Sequence, residues 1–506
     1  MNLRIFSKFF FVGLLQGVSI SFLYLLPLLI YTHYFLLKNI FFSTEKFNSF
    51  LGGWFFGFGF FLGSMHWIIS PFLIYERHFY LAPIIVLIFP ISLGLFFSIY
   101  TILISNLKKI LKIDNNFLFL KSFLISITFF FTELLRSKIL GGLPFNLTSH
   151  IWAFHDNFIA ITKFIGVFGL SFLTINWIFL ISNNLLLKKI KTSFVIFLTF
   201  PVFLIFLGKF ESNREVVLSK QVASIRVIQP NIPQAEKWNK LFFQTNLDKL
   251  INLTSKNNNP NINKLVIWPE VAITSYLNED KELVSYINDR IPKNISLVSG
   301  SLRREFQGKN YKIYNSLYVI TNEKIDFYDK KKLVPFGEYI PFRKILSFSK
   351  LTSGTGDFNE GTIPSFMKLS FGDSFITFEP SICYEAVFQT FGFNSTNLFI
   401  NITNDAWFGK TTGPRQHLAA QIFRSVEKGS PLIRSSNSGI SVITNSNGKI
   451  LKKINLNEAG FIEDQILLNN KETFFEKYKS NSLLVLLLFL IMIFYLIDLI
   501  FSSKRK

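Results

Sequence analysis

The sequence predicts a polytopic α-helical membrane domain of about eight spans joined to an α/β layered domain. Three observations carry this expectation. Hydrophobic residues make up 49% of the chain, with 63 Phe and a mean hydropathy of +0.35, an apolar excess beyond that of an ordinary soluble domain. The excess is concentrated in long runs between residues 9 and 209, and again between 482 and 501. From Val217 onward the pattern changes to short β-rich runs bounded by Asn, Gly, Pro and Ser, which read as strands.

The first apolar run, residues 9–37, exceeds the roughly 20 residues that one transmembrane helix requires. It is either one tilted helix or a tight two-helix hairpin. Later runs cover about 48–75, 80–105, 116–135, 157–182, 193–209 and 482–501. Positive charge decides the parity. Basic clusters stand at Arg4/Lys8, Lys38/Lys46, Lys108/Lys109/Lys112, Lys188/Lys189/Lys191 and Lys504/Arg505/Lys506. Placing all of them in the cytoplasm makes the first run cross twice and sets both ends inside. Residues 1–209 then hold seven spans, 210–480 form an external domain, and 481–506 hold the last span with a short basic tail. Arg136 and Lys138 dissent from this arrangement. Glu133 and Arg136, one helical turn apart, are expected to form an interfacial ion pair. The following "GGLPFNLTSHIW" suits a lipid entrance. The first run continues into further spans, so it is expected to be an anchor rather than a cleaved signal.

The formal net charge is +21. It follows from a Lys-rich composition and also suits anionic lipid head groups. No recognition motif accompanies it, so no nucleic-acid partner is expected. The single cysteine excludes an intramolecular disulfide. The six histidines are dispersed without zinc-ligand spacing, so neither a metal nor another cofactor is expected.

In the soluble part, "SIRVIQPNIPQ", "KLVIWPE", "ISLVSGS", "NSLYVIT", "SFITFEPSICYE", "NLFINITND" and "SGISVITNSNGKI" read as strands. "GPRQHLAAQIFRSVEKG" reads as a helix: Pro414 suits its first turn, Leu418, Ile422 and Val426 share a face, and Gly429 suits the cap. The Gly-rich stretch 352–364 is expected to be a loop and lacks phosphate-binding spacing.

Three polar groups stand where strands end. Glu270 closes "LVIWPE", Lys330 lies in "YDKKKLVPFGEYIP", and Cys383 closes "ITFEPSIC". Taken singly, each has a plainer explanation: a small buried thiol, or a solvated surface charge. Together they make chemical sense. A thiol with an ordinary pKa near 8.5 needs a base or a nearby cation. A carboxylate accepts its proton, and an ammonium stabilises the thiolate and a later oxyanion. No His adjoins the Cys in sequence, which argues against a Cys–His pair; the nearest is His417.

The order "VIWPEVA", "YDKKKLVPFGEYIP", "SICYEAVF" resembles the Glu-Lys-Cys pattern of the nitrilase superfamily. Within that superfamily the chain is similar to the apolipoprotein N-acyltransferases, also through "VIQPNIPQAEKW", "NITNDAWFGKTTGPRQHLAAQIFRSVEKG", "PLIRSSNSG" and, in the membrane part, "GVFGLSFL". The resemblance covers nearly the whole chain. It implies eight spans and an external nitrilase-like four-layer αββα sandwich. It also implies Cys383 as nucleophile, Glu270 as general base and Lys330 as the oxyanion-stabilising lysine. Lys330, rather than Lys331 or Lys332, has the family's spacing to Glu338. Glu338 and Glu385 match supporting carboxylates, and Trp238 and Tyr384 match aromatic positions of substrate or loop placement. Ser438, Ser381 and Pro380 depart from the family pattern without touching the trio.

The implied reaction moves an acyl chain from a phospholipid to the free N-terminal amine of a diacylglyceryl-cysteine apolipoprotein, through a thioester and ping-pong kinetics. The implied setting is the bacterial inner membrane, with the catalytic domain on the periplasmic side. The expected partners are the phospholipid donor, the apolipoprotein acceptor and membrane lipid, and the protein is expected to be a monomer. Two alternatives stand beside this. A membrane-tethered nitrilase-type amidase would use the same trio but has no need of eight spans. A transporter or receptor with an inactive domain has no use for an intact trio.

Overall fold

The computed structural model describes residues 3–41, 48–110, 118–218, 221–321, 324–341, 343, 350–351, 356–362, 366–372, 374–389, 396–468 and 472–503. Lys46, Lys112, Lys504, Arg505, Lys506 and residues 352–355 and 363–364 of the Gly-rich stretch lie outside them. The chain divides into two compact units, residues 1–69, 80–212 and 473–506 in one and residues 70–79 and 213–472 in the other.

The first unit is helical. It contains α1 (Leu3–Val18), α2 (Leu26–Ile40), α3 (Ser49–Ser64), α4 (Ala82–Ile110), α5 (Leu118–Arg136), α6 (Thr162–Leu186), most of α7 (Ile190–Leu218) and a C-terminal helix, Ser480–Ser503. The long first apolar run breaks at Tyr24, which adopts φ 48°, and Phe9 of α1 packs edge-on against Phe35 of α2 with ring centroids 5.0 Å apart, so the two halves fold back as a helical hairpin. Among the described residues six helices are long and apolar enough to cross a membrane, or seven if the bent pair Ser49–Ser64 and His66–Leu73 is one span. The count of eight is reached only with α2. Its 15 residues rise about 22 Å, short of a hydrocarbon core of about 30 Å.

Glycines let α1 and α3 approach closely. A Cβ on Gly13 would collide with the Phe56 carbonyl, and one on Gly59 with the Phe10 carbonyl. Small residues at such crossings are what helix packing in lipid selects. Hydrogen bonds of Glu133 and Arg136 run to the loop that follows α5. Glu133 Oε1 accepts from the Thr148 backbone N–H at 2.7 Å and from its hydroxyl at 2.8 Å. Arg136 Nη1 donates to the Leu143 and Phe145 carbonyls at 2.7 and 2.6 Å. The two charges staple the loop after α5, satisfying backbone groups that lipid would leave unpaired.

The second unit is a sandwich. Its strands are β1 (Gln221–Gln229), β2 (Lys264–Ile267), β3 (Ile273–Tyr276), β4 (Ile295–Gln307), β5 (Asn310–Ile320), β6 (Ile325–Asp329), β7 (Met367–Phe371), β8 (Ser374–Ile382), β9 (Leu398–Thr403), β10 (Leu432–Ser436), β11 (Ser441–Thr444), β12 (Ile450–Ile454) and β13 (Gly460–Leu468). One sheet runs β13-β1-β2-β4-β5-β6, with β3 also pairing β4; the other runs β12-β11-β10-β9-β8-β7. Both are mixed: β1, β2 and β4 are parallel neighbours, as are β8, β9 and β10, while the outer pairs are antiparallel.

Ile225, Val227, Ile267 and Val298 of the first sheet pack against Phe378, Ile400, Ile402 and Ile433 of the second in one core. The outer face of the first sheet buries Val266, Trp268 and Leu297 against Leu250 of α9 (Phe243–Ser255) and Ile287 of α10 (Lys281–Arg290). The outer face of the second buries Phe399, Leu432 and Val442 against Leu418 of α11 (Gly413–Lys428). Parallel strands covered on both faces read as continuous apolar runs, and β2, β9 and β10 are buried along their whole length. The result is the expected four-layer αββα arrangement. Helix α11 matches its sequence signals, with Pro414 in the first turn and Gly429 at φ 70° as the left-handed cap.

Candidate active site

The three sequence-selected polar groups stand just beyond the C-terminal ends of β2, β6 and β8. Glu270 sits in a turn that continues through Val271, a β-branched residue at φ 43°. Such a backbone is a genuine outlier and needs support. The turn lies on β4, where the Gly300 N–H donates to the Pro269 carbonyl at 3.2 Å. A Cβ on Gly300 would meet the Val271 nitrogen and stand 2.7 Å from the Glu270 Cα, so only glycine permits this approach. Cys383 also has a left-handed backbone, at φ 52°, and opens a short 3₁₀ turn, Cys383–Val387. Lys330 is held by its N–H to the Asn315 carbonyl at 2.9 Å and by its carbonyl to the Gly361 N–H at 2.8 Å.

Glu270, Lys330 and Glu338 form one buried cluster. Lys330 Nζ donates to Glu338 Oε1 at 2.9 Å and lies 3.7 Å from Glu270 Oε1. The Asn315 amide bridges the two carboxylates, donating to Glu270 Oε1 at 2.8 Å and to Glu338 Oε1 at 3.1 Å. Glu338 Oε2 accepts from the Val334 N–H at 2.8 Å. Glu270 is therefore held by one oxygen, while its Oε2 is buried with no hydrogen-bond partner among the described residues. That is the arrangement of a base with one free lone-pair face.

Electrostatics set the protonation states. Enclosure of the sulfur, then the Glu270 charge, pushes the Cys383 thiol up to about 12, against the pull of Lys330 and a hydrogen bond with Thr403. Such a thiol is held protonated at neutral pH, and to act as a nucleophile it would need a base. Burial alone would lower the Lys330 ammonium, but Glu338 and then Glu270 raise it above its ordinary value, so it remains a cation. Burial raises the Glu385 carboxyl, opposed by Lys330 and backbone N–H groups.

Glu385 is a brace. Its Oε1 accepts from the Lys331 and Lys332 N–H groups at 2.6 and 3.0 Å and from the Tyr328 hydroxyl at 3.0 Å. Its Oε2 accepts from the Ile382 N–H at 2.7 Å. One side chain thus joins the chain after β6 to the turn that carries Cys383. Tyr384 packs edge-on against Phe388, ring centroids 4.9 Å apart. Trp238 closes the short helix α8 (Gln234–Lys237) at its C-terminal end.

Sequence reasoning missed several residues. Asn315 was hidden inside a strand pattern; its only signal is a polar residue at a position of β5 that is buried. Lys237 precedes Trp238 and donates to the Glu270 carbonyl at 2.8 Å. Behind Cys383 lies a fully enclosed charged group. His417 Nδ1 is 2.9 Å from Asp405 Oδ1, and Asp405 pairs with Arg434. His417 Nε2 lies 3.2 Å from the Cys383 carbonyl oxygen. The histidine distant in sequence therefore contacts the backbone of the cysteine.

Comparison with known proteins identifies the family. Residues 224–472 match the carbon-nitrogen hydrolase family, and residues 12–180 match the apolipoprotein N-acyltransferase N-terminal domain. The fold and these matches thus define a membrane-bound member of the nitrilase superfamily. The chain is 32% identical to the apolipoprotein N-acyltransferase of Rickettsia prowazekii, over 97% of this chain and 98% of that protein. It is also 32% identical to the Rickettsia typhi protein of that description, covering 98% of each. The Brucella suis protein is 30% identical over 82% of this chain and 79% of that one. The chain belongs to the apolipoprotein N-acyltransferase family and is a multi-pass membrane protein.

Proposed function

We propose that this protein transfers an acyl chain from a phospholipid to the N-terminal amine of a diacylglyceryl-cysteine apolipoprotein, with Cys383, Glu270 and Lys330 as catalytic residues. The observation that carries the reading is the division of labour on Glu270: Oε1 is fixed by Asn315 at 2.8 Å, and Oε2, without a hydrogen-bond partner among the described residues, can take a proton.

In the first half-reaction Glu270 Oε2 takes the Cys383 proton as the sulfur attacks the ester carbonyl. A C–S bond forms, and the carbonyl oxygen becomes an oxyanion facing Lys330. Collapse breaks the C–O bond. The departing alkoxide takes the proton from Glu270 and leaves as lysophospholipid. In the second half-reaction the neutral amine attacks the thioester and gives its proton to Glu270. Collapse breaks the C–S bond, the thiolate recovers the proton, and an amide remains. Glu338 keeps Lys330 charged, and Glu385 holds the two site turns together. Trp238 and Tyr384 serve substrate or loop placement.

The inward basic clusters support a catalytic unit on the periplasmic side of the inner membrane. The chain is organised as residues 1–209, 210–480 and 481–506, acts as a monomer, and takes both substrates from the lipid. The test is mass spectrometry of the purified enzyme after incubation with phospholipid alone. The expected product is an acyl adduct on Cys383 that Cys383→Ala lacks; the same adduct on Cys383→Ala would refute the nucleophile.

A further inference from the structure

We propose that Lys237 is a positioning residue of this centre, its ammonium fastening the strained turn that carries Glu270 and supplying a second positive charge to the acylation step. The inference rests on the acyl-transfer reading above.

Lys237 is 7% exposed and Glu270 likewise 7%. Its hydrogen bond runs 2.8 Å to the Glu270 carbonyl, a main-chain group rather than a carboxylate. Lysine is seldom buried without a charge partner, and a surface lysine would serve as well for a mere turn cap. The bond falls on the residue whose neighbour, Val271, adopts φ 43°. Gly300 makes room for that turn from beneath, and Lys237 holds its carbonyl. A carboxylate with one free oxygen must be aimed by its backbone, and this backbone is too strained to aim itself.

The charge has a second use. Lys330 is committed to Glu338 at 2.9 Å, whereas the Lys237 ammonium stands 2.8 Å from the Glu270 carbonyl, where the Glu270 and Cys383 charges act on it. In acylation negative charge passes from the Glu270 carboxylate to sulfur and then to the oxyanion. A buried cation near both groups steadies that movement.

The charged and titratable groups around Lys237 are Glu236 on its own helix, Glu270 after β2 and Cys383 after β8, with Lys330, Glu338 and Glu385 completing the centre. Burial brings the Lys237 ammonium down to about 8, opposed by Glu270 and then Cys383. Lys237 is therefore charged below that pH and loses its charge above it. Cys383, at about 12, and Lys330, raised by Glu338 and Glu270, do not titrate there. Lys350, which burial also brings to about 8, does, so it serves as control.

The experiment follows acyl-thioester formation on Cys383 from phospholipid in detergent micelles, in a single turnover, from pH 6 to 10. The first half-reaction alone removes the acceptor amine and its own titration. In the parent enzyme the rate is expected to fall above about pH 8. Lys237→Arg, charged throughout, is expected to lose that descending limb, while Lys350→Met retains it. Lys237→Met is expected to acylate about 100-fold more slowly, with the phospholipid KM unchanged.

A parent-like rate in Lys237→Met, or a descending limb unmoved in Lys237→Arg, overturns the proposal. If Lys237→Met fails to fold, the Lys237→Arg profile decides alone. If the parent forms no adduct on Cys383, the acyl-transfer reading itself fails. If parent and Lys237→Met form it alike, only the role of Lys237 is lost.

Discussion

At the scale of single residues, the proposed site separates holding from reacting. Glu270 Oε1, Glu338 and Lys330 are tied to one another and to Asn315, while Glu270 Oε2 has no hydrogen-bond partner among the described residues. Glu270→Gln keeps the shape and removes the base, so thioester formation is expected to slow by about 10²–10⁴-fold, read by single-turnover mass spectrometry. Lys330→Met is expected to lower turnover by about 10²–10³-fold, whereas Lys331→Met leaves it near the parent value; equal losses would remove the basis for choosing Lys330. Glu270, Lys330 and Cys383 could be selected from the sequence because a family pattern fixes their spacing. Glu338 and Glu385 were legible in the same way, but two other side chains that hold Glu270 were not. Asn315 looks like any polar residue in a strand, and Lys237 looks like a surface lysine before a tryptophan. What makes each matter is a contact across about 30–50 residues of sequence, to Glu270.

At the scale of elements, two strained turns present Glu270 and Cys383, and each lies against a specific neighbour. Gly300 on β4 is the floor of the Glu270 turn. Gly300→Ala is expected to destabilise the protein by about 1–3 kcal/mol through overpacking and to slow acylation. A thermal melt and the thioester assay check this together, and unchanged values in both would contradict the close approach. Helix α11 was legible to the residue because its start and cap signals are local. The role of its His417, which meets the Cys383 carbonyl at 3.2 Å, was not, because it depends on β8 and α11 being neighbours in space. Glu133 and Arg136 show the same limit. One turn apart on α5, they suggested a pair, but their hydrogen bonds run to the loop that follows.

At the scale of the whole molecule, composition and hydropathy foretold a helical membrane unit and a layered α/β unit, and both are present. The span count was less legible. Hydropathy merges α1 and α2 into one run, and only the backbone at Tyr24, φ 48°, separates them. Charge counting predicts that a reporter inserted near residue 300 reports the external side of the membrane; a cytoplasmic signal would reverse the orientation. The central claim is that one cysteine carries an acyl group between two lipid substrates. Its most direct test isolates the acyl-enzyme, free of phospholipid, and adds a peptide bearing an N-terminal diacylglyceryl-cysteine. The account predicts that the acyl group on Cys383 moves to the peptide amine as an amide in a single turnover. Release of the acyl group as free fatty acid, with the peptide unmodified, would contradict it and make the protein a hydrolase.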